Sequence, residues 1–96
     1  MDIKNKIIVV TGAGAGIGKA LAICFAKQGA KRVICSDIDA IKSKETADLI
    51  DGVSIEADVS KEADLINLIA QSEAEIGPID LFCSNAGILN QAGLDA

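Results

Sequence analysis

The sequence T-G-A-G-A-G-I-G at residues 11–18 decides the fold of this chain. The apolar run Ile-Ile-Val-Val at residues 7–10 leads into it, and an amphipathic run over residues 17–28 leads out of it. An unbroken run of β-branched residues is typical of a parallel strand that is buried on both faces. The order of the three segments therefore predicts a strand, a glycine-rich turn and a helix.

Each glycine of this turn has a predicted physical role. Gly12 lets the chain turn tightly off the strand, and Gly18 removes a Cβ where the helix passes close to the strand. Gly14 and Gly16 keep side chains away, so that a pyrophosphate can approach the backbone N–H groups and the positive end of the helix dipole. The spacing is T-G-x-x-x-G-x-G, whereas dinucleotide-binding turns usually have G-x-G-x-x-G. A glycine-rich turn that binds no ligand is therefore the alternative interpretation.

Strand and helix patterns alternate along the rest of the chain. Strands are predicted at residues 6–11, 32–36, 53–57 and 79–83. Helices are predicted over residues 17–28, from a cap at Asp39 to residue 50, and from a cap at Ser60 to the stop at Gly77-Pro78. The order βαβαβαβ predicts an α/β fold, a Rossmann-type doubly wound parallel sheet with strand order 3-2-1-4. We expect the first two helices on one face and the third on the other, with a ligand at the switch point between strands one and four.

Helical periodicity predicts which side of each helix is buried. In the first helix the predicted face consists of Ile17, Ala20, Leu21, Cys24, Phe25 and Gln28, and it is apolar until this last, polar position. In the second helix a weaker stripe consists of Ala40, Ile41, Ala47, Leu49 and Ile50. In the third helix the face consists of Leu65, Leu68, Ile69, Ser72 and Ile76. The cysteines, Cys24, Cys35 and Cys83, fall in apolar patterns without C-x-x-C spacing, and we expect buried, reduced thiols.

Composition narrows the class of protein. The chain has 96 residues, of which 50% are hydrophobic, so it has room for one small domain over residues 1–96 and is not disordered. Its net charge of −5 argues against nucleic acid or an anionic membrane surface as the main partner. It contains no histidine, so we expect no metal site. No signal-peptide pattern or membrane-spanning apolar run is present, and cytoplasm is the expected location.

An acidic residue follows the second predicted strand. Asp37 stands where a carboxylate can accept hydrogen bonds from both hydroxyls of an adenosine ribose, and it would repel a 2′-phosphate. Its neighbour Ile38 and the loop residue Ala15 are uncharged, and Arg32 is at the far end of the strand. The sequence therefore predicts NAD rather than NADP. In the alternative interpretation Asp37 merely starts the turn or helps to cap the second helix.

Polar residues also follow the third and fourth strands. The carboxylate of Asp58 could accept from an adenine amino group, with Val59 against the ring. The small residues Ala86 and Gly87 would let a cofactor lie against the backbone, while the amide of Asn85 can bridge neighbouring strands. An acidic turn before the third helix and an ordinary Asn-Gly turn remain the alternatives at these two places.

Together these motifs resemble the amino-terminal part of the short-chain dehydrogenase/reductase family. The resemblance spans the glycine loop, Asp37, Asp58-Val59 and the Asn-Ala-Gly turn, up to about residue 88. It implies an NAD-binding site formed by Gly12, Gly14, Ala15, Gly16, Ile17, Gly18, Asp37, Ile38, Asp58, Val59, Asn85, Ala86 and Gly87. It also implies that Asn85 and Thr11 tie the central strands together. Ser84 departs from the family, in which many members have a first asparagine at that position.

The family's catalytic residues are a serine, a tyrosine and a lysine downstream of the Asn-Ala-Gly turn. This sequence contains no tyrosine, so we assign no catalytic residue within it. We expect the cofactor-binding part of an NAD-dependent oxidoreductase, apparently truncated after strand four, that acts on a small-molecule alcohol or carbonyl substrate if the chain continues. The alternative is a non-catalytic module that binds NAD or an adenine nucleotide. Family members are often dimers or tetramers, so the resemblance adds a homo-oligomer to the expected partners.

Overall fold

The computed structural model describes residues 2–85 of the chain. Its strands are β1 (Ile7–Thr11), β2 (Arg32–Asp37), β3 (Val53–Glu56) and β4 (Leu81–Cys83). Its helices are α1 (Gly16–Lys27), α2 (Ala40–Ile50) and α3 (Glu62–Glu75). All seven predicted elements are present within two residues of their predicted bounds, and the βαβαβαβ order is confirmed.

The strands form one parallel sheet with the order β3-β2-β1-β4. β1 is central, with Thr11 opposite Ser36 of β2 and Val10 opposite Cys83 of β4. On the outer side of β2, Asp37 is opposite Glu56 of β3. The predicted strand order is therefore confirmed, and the carboxyl ends of all four strands lie at one edge of the sheet.

Two apolar clusters cover the two faces of the sheet, because alternate residues of a strand point to opposite sides. On one face Ile8 and Val10 of β1 pack with Ala22 of α1 and Ala47 of α2. The other cluster consists of Ile7, Val9, Ile34, Ile55, Ala57 and Leu68, the last from α3. The prediction that the first two helices share a face and the third takes the opposite face is confirmed.

The predicted apolar face of α1 is wrong by about one residue of rotation. The fully buried residues are Gly18 and Ala22, whereas Ile17 is 65% exposed. Cys24 is also exposed, which contradicts its predicted burial. The helix turns its smallest side chains to the sheet because they allow the closest approach, and Leu21 and Phe25 pack at the margin of the contact.

The predicted stripe of α2 is also wrong in most of its members. The buried residues are Ser43, Thr46 and Ala47, whereas Ile41 and Leu49 are exposed. The Ser43 hydroxyl donates to the carbonyl of Ala40 at 3.1 Å, and the Thr46 hydroxyl donates to the carbonyl of Lys42 at 3.3 Å. Because these hydroxyls are hydrogen-bonded within the helix, their burial carries little penalty, and apolar periodicity alone misses the face.

The start of α3 differs from its prediction as well. Lys61 is the N-cap residue, and its side chain makes no capping hydrogen bond. The hydroxyl of Ser60, the predicted cap, donates instead to the carboxylate of Asp58 at 2.6 Å. Glu62 and Asp64 lie in the first turn as predicted, where their negative charge complements the helix dipole.

The helices are short relative to the thickness of a bilayer. α1 has 12 residues, α2 has 11 and α3 has 14, whereas a membrane-spanning helix needs about 20 apolar residues. Within residues 2–85 no helix has the length and apolar character needed to cross a membrane.

Candidate functional site

The loop after β1 is built around two glycines with left-handed backbone angles. Gly12 has φ of 67° and Gly16 has φ of 58°, a region that residues with a Cβ rarely adopt. A Cβ on Gly16 would meet nothing within 4 Å, so the space above it is open. A Cβ on Gly18 would collide with the carbonyl oxygen of Gly12. The loop can therefore fold back tightly onto the first turn of α1 only because Gly18 has no side chain.

Gly14 is close-packed against the second βα unit. Its N–H donates to Oδ2 of Asp37 at 2.8 Å. A Cβ on Gly14 would lie 2.7 Å from the Cβ of Lys42 and 2.8 Å from Asp37 Oδ2. The space beside its Cα thus belongs to Asp37 and Lys42, whereas the sequence interpretation assigned it to a pyrophosphate.

The amino terminus of α1 differs from those of the other helices. Its N-cap residue, Ala15, makes no side-chain capping bond, and its first turn contains no acidic residue. In contrast, the Asp39 side chain accepts from the N–H of Lys42 at the start of α2, and α3 has acidic residues in its first turn. The first N–H groups of any helix lack intrahelical acceptors. The positive end of the α1 dipole therefore faces the loop without a neutralising side chain, in the position that suits an anion.

Asp37 holds its carboxylate beside this loop. Oδ2 accepts from the Gly14 N–H, and Oδ1 accepts from the Asp39 N–H at 3.0 Å. An ionised carboxylate has about four acceptor positions, so two backbone donors leave capacity on each oxygen. The side chain of the next residue, Ile38, is 65% exposed at the same edge of the sheet.

Asp58 takes part in a local turn. Its Oδ1 accepts from both the hydroxyl and the N–H of Ser60, at 2.6 and 3.0 Å. Both hydrogen bonds lower the pKa of the Asp58 carboxyl below its ordinary value of 3.8, and the bond from the Ser60 hydroxyl has the larger effect. Its own N–H donates to Asp64 Oδ2 at 2.9 Å. One carboxylate oxygen thus serves the turn, as the alternative interpretation expects, and the adenine contact remains a prediction. Val59 is half-buried and packs against the apolar cluster that contains Leu68 of α3.

Asn85 connects the fourth strand to the first. Its main-chain N–H donates to Oγ1 of Thr11 at 2.8 Å, and the Thr11 hydroxyl contacts the carbonyl of Cys83 at 3.4 Å. The resemblance implied that Asn85 and Thr11 tie these strands together, and the structure places them in contact. The connection uses the backbone of Asn85, whereas the prediction used its side-chain amide. That amide lies over α1 instead, 2.7 Å from the point that a Cβ on Gly18 would occupy.

The described site residues converge on one edge of the sheet. All of them lie at or after the carboxyl end of a strand: Gly12, Gly14, Ala15, Gly16, Ile17, Gly18, Asp37, Ile38, Asp58, Val59 and Asn85. The other two predicted site residues, Ala86 and Gly87, lie outside the described residues. Sequence reasoning missed Lys42, because it is five positions after Asp37 and only the packing of α2 on the loop brings it to Gly14. The signal that the sequence offered for Lys42 was its place in the first turn of the predicted second helix, close to the carboxyl end of the second strand.

Comparison with known proteins assigns the chain to a family. The model of the short chain dehydrogenase family matches residues 6–95. An uncharacterized oxidoreductase of Thermotoga maritima is 38% identical over 100 residues, which cover 99% of this chain and 39% of the relative. The crystal structure of ribose-5-phosphate isomerase from Brucella melitensis 16M has a TM-score of 0.84 and 32% identity, with 90% of this chain and 33% of that chain covered.

A second solved structure is similar over most of the chain. It is a 3-ketoacyl-(acyl-carrier-protein) reductase from Brucella melitensis complexed with NADH, with a TM-score of 0.79 and 33% identity. The similarity covers 83% of this chain and 34% of the reductase. This chain therefore spans less than half the length of the relatives that it matches. Because the family match extends over nearly all of its residues, the chain belongs to the short-chain dehydrogenase family.

Proposed function

We propose that this chain binds NAD(H) as the cofactor-binding part of an oxidoreductase that transfers a hydride between NAD(H) and an alcohol or carbonyl substrate. The observation that carries the proposal is the position of the Asp37 carboxylate, which accepts the N–H of Gly14 in the loop after β1. A ribose acceptor and a phosphate-binding loop are the two elements that a dinucleotide-binding fold needs at this edge of the sheet.

Asp37 is the residue that we propose for recognition of the adenosine ribose. Its two backbone donors, the N–H groups of Gly14 and Asp39, fix the carboxylate and leave acceptor capacity on each oxygen. Ribose hydroxyls are donors and can use that capacity. A 2′-phosphate would bring negative charge against a fixed carboxylate, which favours NAD over NADP.

The loop and the amino terminus of α1 are proposed to hold the pyrophosphate. The open space at Gly16 and the α1 terminus, which carries no capping side chain at Ala15, fit an anion that backbone N–H groups bind. The net charge of −5 does not oppose this, because the helix dipole and the N–H groups supply local positive potential. The bound nicotinamide would supply the hydride chemistry.

The reductase complexed with NADH supports a nicotinamide cofactor for this chain, and the oxidoreductase from Thermotoga maritima supports the reaction class. The resemblance puts the proton-transferring tyrosine and its lysine beyond the Asn-Ala-Gly turn, and the 96 residues contain no tyrosine. We therefore assign cofactor binding, and no proton transfer, to the residues of this chain.

A second candidate is a module that binds NAD or an adenine nucleotide without catalysis, for which the cofactor-binding residues of this chain would be sufficient. The two candidates differ in one measurable property. An oxidoreductase shows substrate-dependent change in NADH absorbance across a panel of alcohols and carbonyl compounds, whereas a binding module shows NAD binding alone.

The substitution Asp37→Ala tests the proposed ribose contact. We expect the wild-type protein to prefer NAD+ to NADP+, and Asp37→Ala to lose about tenfold in NAD+ affinity, the effect of removing a charge-assisted hydrogen bond. The ratio of its NAD+ affinity to its NADP+ affinity should be smaller than in the wild type. Isothermal titration calorimetry of the purified natural protein with both cofactors measures this.

The matched control is Asp48→Asn, which removes one negative charge from the exposed surface of α2, where Asp48 pairs with Lys44 at 2.9 Å. We expect its affinities to equal those of the wild type. If Asp37→Ala leaves the affinities for both cofactors unchanged, the ribose assignment is wrong.

A further inference from the structure

Lys42 lies at the same corner of the site as Asp37. It is in the first turn of α2, and its Cβ would be 2.7 Å from a Cβ on Gly14. Asp37 Oδ2 would be 2.8 Å from that same point. The methylene stem of a lysine and a carboxylate therefore flank one glycine of the loop, although the sequence prediction counted no cation near Asp37.

The backbone of Lys42 is fixed, whereas its ammonium group makes no ion pair with any residue that the structure describes. Its N–H donates to Asp39 Oδ1 at 3.1 Å. The ion pairs among residues 2–85 are Arg32–Asp51 and Lys44–Asp48, and neither involves Lys42. The side chain is exposed, so its four-carbon stem can swing about the fixed Cα. Lys42 is thus a positive charge without an ion-pair partner next to the proposed ribose acceptor.

We propose that Lys42 is the cation through which this site can bind a 2′-phosphorylated dinucleotide when the charge of Asp37 is removed. The inference rests on the proposed function, because it needs the adenosine ribose to lie at Asp37. In the wild type the carboxylate repels a 2′-phosphate and opposes the attraction of the ammonium. Asp37 therefore acts as the repulsive determinant of cofactor choice, and Lys42 as an attractive one.

The side chains of Asp37 and Lys42 differ in their freedom to move. Hydrogen bonds from Gly14 and Asp39 hold the carboxylate in place, so it cannot move away from an incoming phosphate. The ammonium of Lys42 can approach such a phosphate from the α2 side of Gly14. Coulomb energy falls as the distance and the dielectric constant rise, so the carboxylate held at the site opposes a 2′-phosphate more strongly than the solvated ammonium attracts it, and removing the carboxylate charge leaves the cation to act.

The test measures NAD+ and NADP+ binding by calorimetry in the natural protein and its variants. Asp37→Asn removes the charge and keeps an oxygen that can accept the Gly14 N–H. To this variant we add Lys42→Gln or, as the matched control, Lys44→Gln, which removes a lysine from the same helix that pairs with Asp48. Circular dichroism verifies that each variant is folded, and Asp37→Ser repeats the series if Asp37→Asn is not.

We expect Asp37→Asn to gain affinity for NADP+. Adding Lys42→Gln should reduce that affinity about tenfold, the factor for loss of a charge-assisted hydrogen bond to a phosphate, while leaving NAD+ affinity within about twofold. Adding Lys44→Gln should change neither affinity by more than about twofold.

Equal losses of NADP+ affinity with Lys42→Gln and Lys44→Gln, or no loss with either, would overturn the role of Lys42 and leave the proposed function intact. Failure of the wild-type protein to bind NAD+ would overturn the proposed function itself, and the Lys42 proposal with it.

Discussion

At the residue scale, two glycines near the start of α1 are required for different reasons. Gly16 has a positive φ of 58° in open space, so the constraint on it comes from the backbone alone. Gly18 is helical, and a Cβ there would collide with the Gly12 carbonyl, so its constraint comes from packing. A substitution at Gly16 should therefore be tolerated best by a residue that accepts a positive φ, whereas a substitution at Gly18 requires the loop backbone to move.

Alanine at each position separates these two constraints. Gly16→Ala should lower the free energy of unfolding by about 1–2 kcal/mol because of its left-handed backbone, and Gly16→Asn by less, since asparagine tolerates that region. Gly18→Ala should cost about 1–3 kcal/mol because the loop backbone must shift. Urea denaturation measures both. A Gly18→Ala variant as stable as the wild type would contradict the close approach.

Ser60 controls the ionisation of Asp58. Because hydrogen bonds from Ser60 lower the Asp58 pKa below 3.8, Ser60→Ala should raise it toward that value. Since the folded pKa is lowered, the stabilisation from this carboxylate is present above the unfolded pKa and is lost as the pH falls through the folded pKa. The variant should therefore show a weaker dependence of stability on pH below about 4.

Carboxyl carbon NMR shifts followed through an acid titration report the pKa of Asp58. The control is Lys61→Gln, since the charge of Lys61 is the smallest contribution to the lowered pKa, and its removal should raise the pKa less than Ser60→Ala does. An unchanged Asp58 pKa in Ser60→Ala would show that the hydrogen bond does not govern its ionisation.

Sequence reasoning predicted the positions of the polar residues at this edge of the sheet better than it predicted their contacts. Asp37 was predictable because an acid after the second strand has a known geometric relation to the glycine loop. Lys42 was not, because its proximity to Gly14 results from the packing of α2 on the loop. The turn at Asp58 was expected only as the alternative, and the part of Ser60 in it was missed, since Ser60 fits equally well as a helix cap in the sequence.

At the element scale, Asp80 fixes the alignment of β1 with β4. Its carboxylate accepts the N–H of Ile7 at 2.8 Å, and its own N–H donates to the Ile7 carbonyl at 2.8 Å. The pair closes the ladder at the amino ends of both strands, opposite the site. The bond is part-buried, and loss of this acceptor would leave the Ile7 N–H without its partner in the protein.

Asp80→Ala should lower the free energy of unfolding by about 1–2 kcal/mol, because the substitution removes a part-buried hydrogen bond to a carboxylate. Asp80→Asn keeps an oxygen that can accept the Ile7 N–H and should lose less. Chemical denaturation measures both changes, and amide hydrogen exchange at Ile7 should accelerate in Asp80→Ala alone. Equal exchange rates in the two variants would contradict the role of the carboxylate.

The elements themselves were well predicted, and so was the buried side of α3, where Leu68 and Ser72 are buried as expected, whereas the buried sides of α1 and α2 were not. Unbroken apolar runs such as residues 7–10 identify buried parallel strands, and this signal does not depend on their partners. The buried side of α1 and α2 is set by small or internally bonded residues, such as Ala22 and Thr46, which hydrophobic periodicity weights poorly. For this reason Cys24 was predicted inside and lies outside.

At the scale of the whole molecule, Cys24 and Cys35 differ in how far the domain must unfold before a reagent can reach the thiol. Cys35 is buried in the centre of β2, and burial raises the pKa of its thiol to about 12. Cys24 is exposed on α1, where Gln28 Nε2 donates to its sulfur at 3.2 Å. The reactive form is the thiolate, so Cys35 is protected both by its ionisation and by its position.

We expect a thiol reagent at pH 8 to modify Cys24 rapidly and Cys35 only when the domain unfolds globally. Low concentrations of urea should accelerate the reaction of Cys35 strongly and that of Cys24 little. Cys24→Ser should remove the fast reaction, which identifies the residue. Fast modification of Cys35 under native conditions, followed by mass spectrometry, would contradict a rigid centre of the sheet.

The hydrogen bond from Gly14 to Asp37 has a consequence for the thermodynamics of association. It joins the loop after β1 to the end of β2 before any ligand arrives. The conformational entropy of ordering these two segments is therefore lost during folding, and association does not incur that loss again. A site preorganised in this way converts more of its contact energy into affinity, and a substitution that loosens this bond should weaken binding chiefly through entropy.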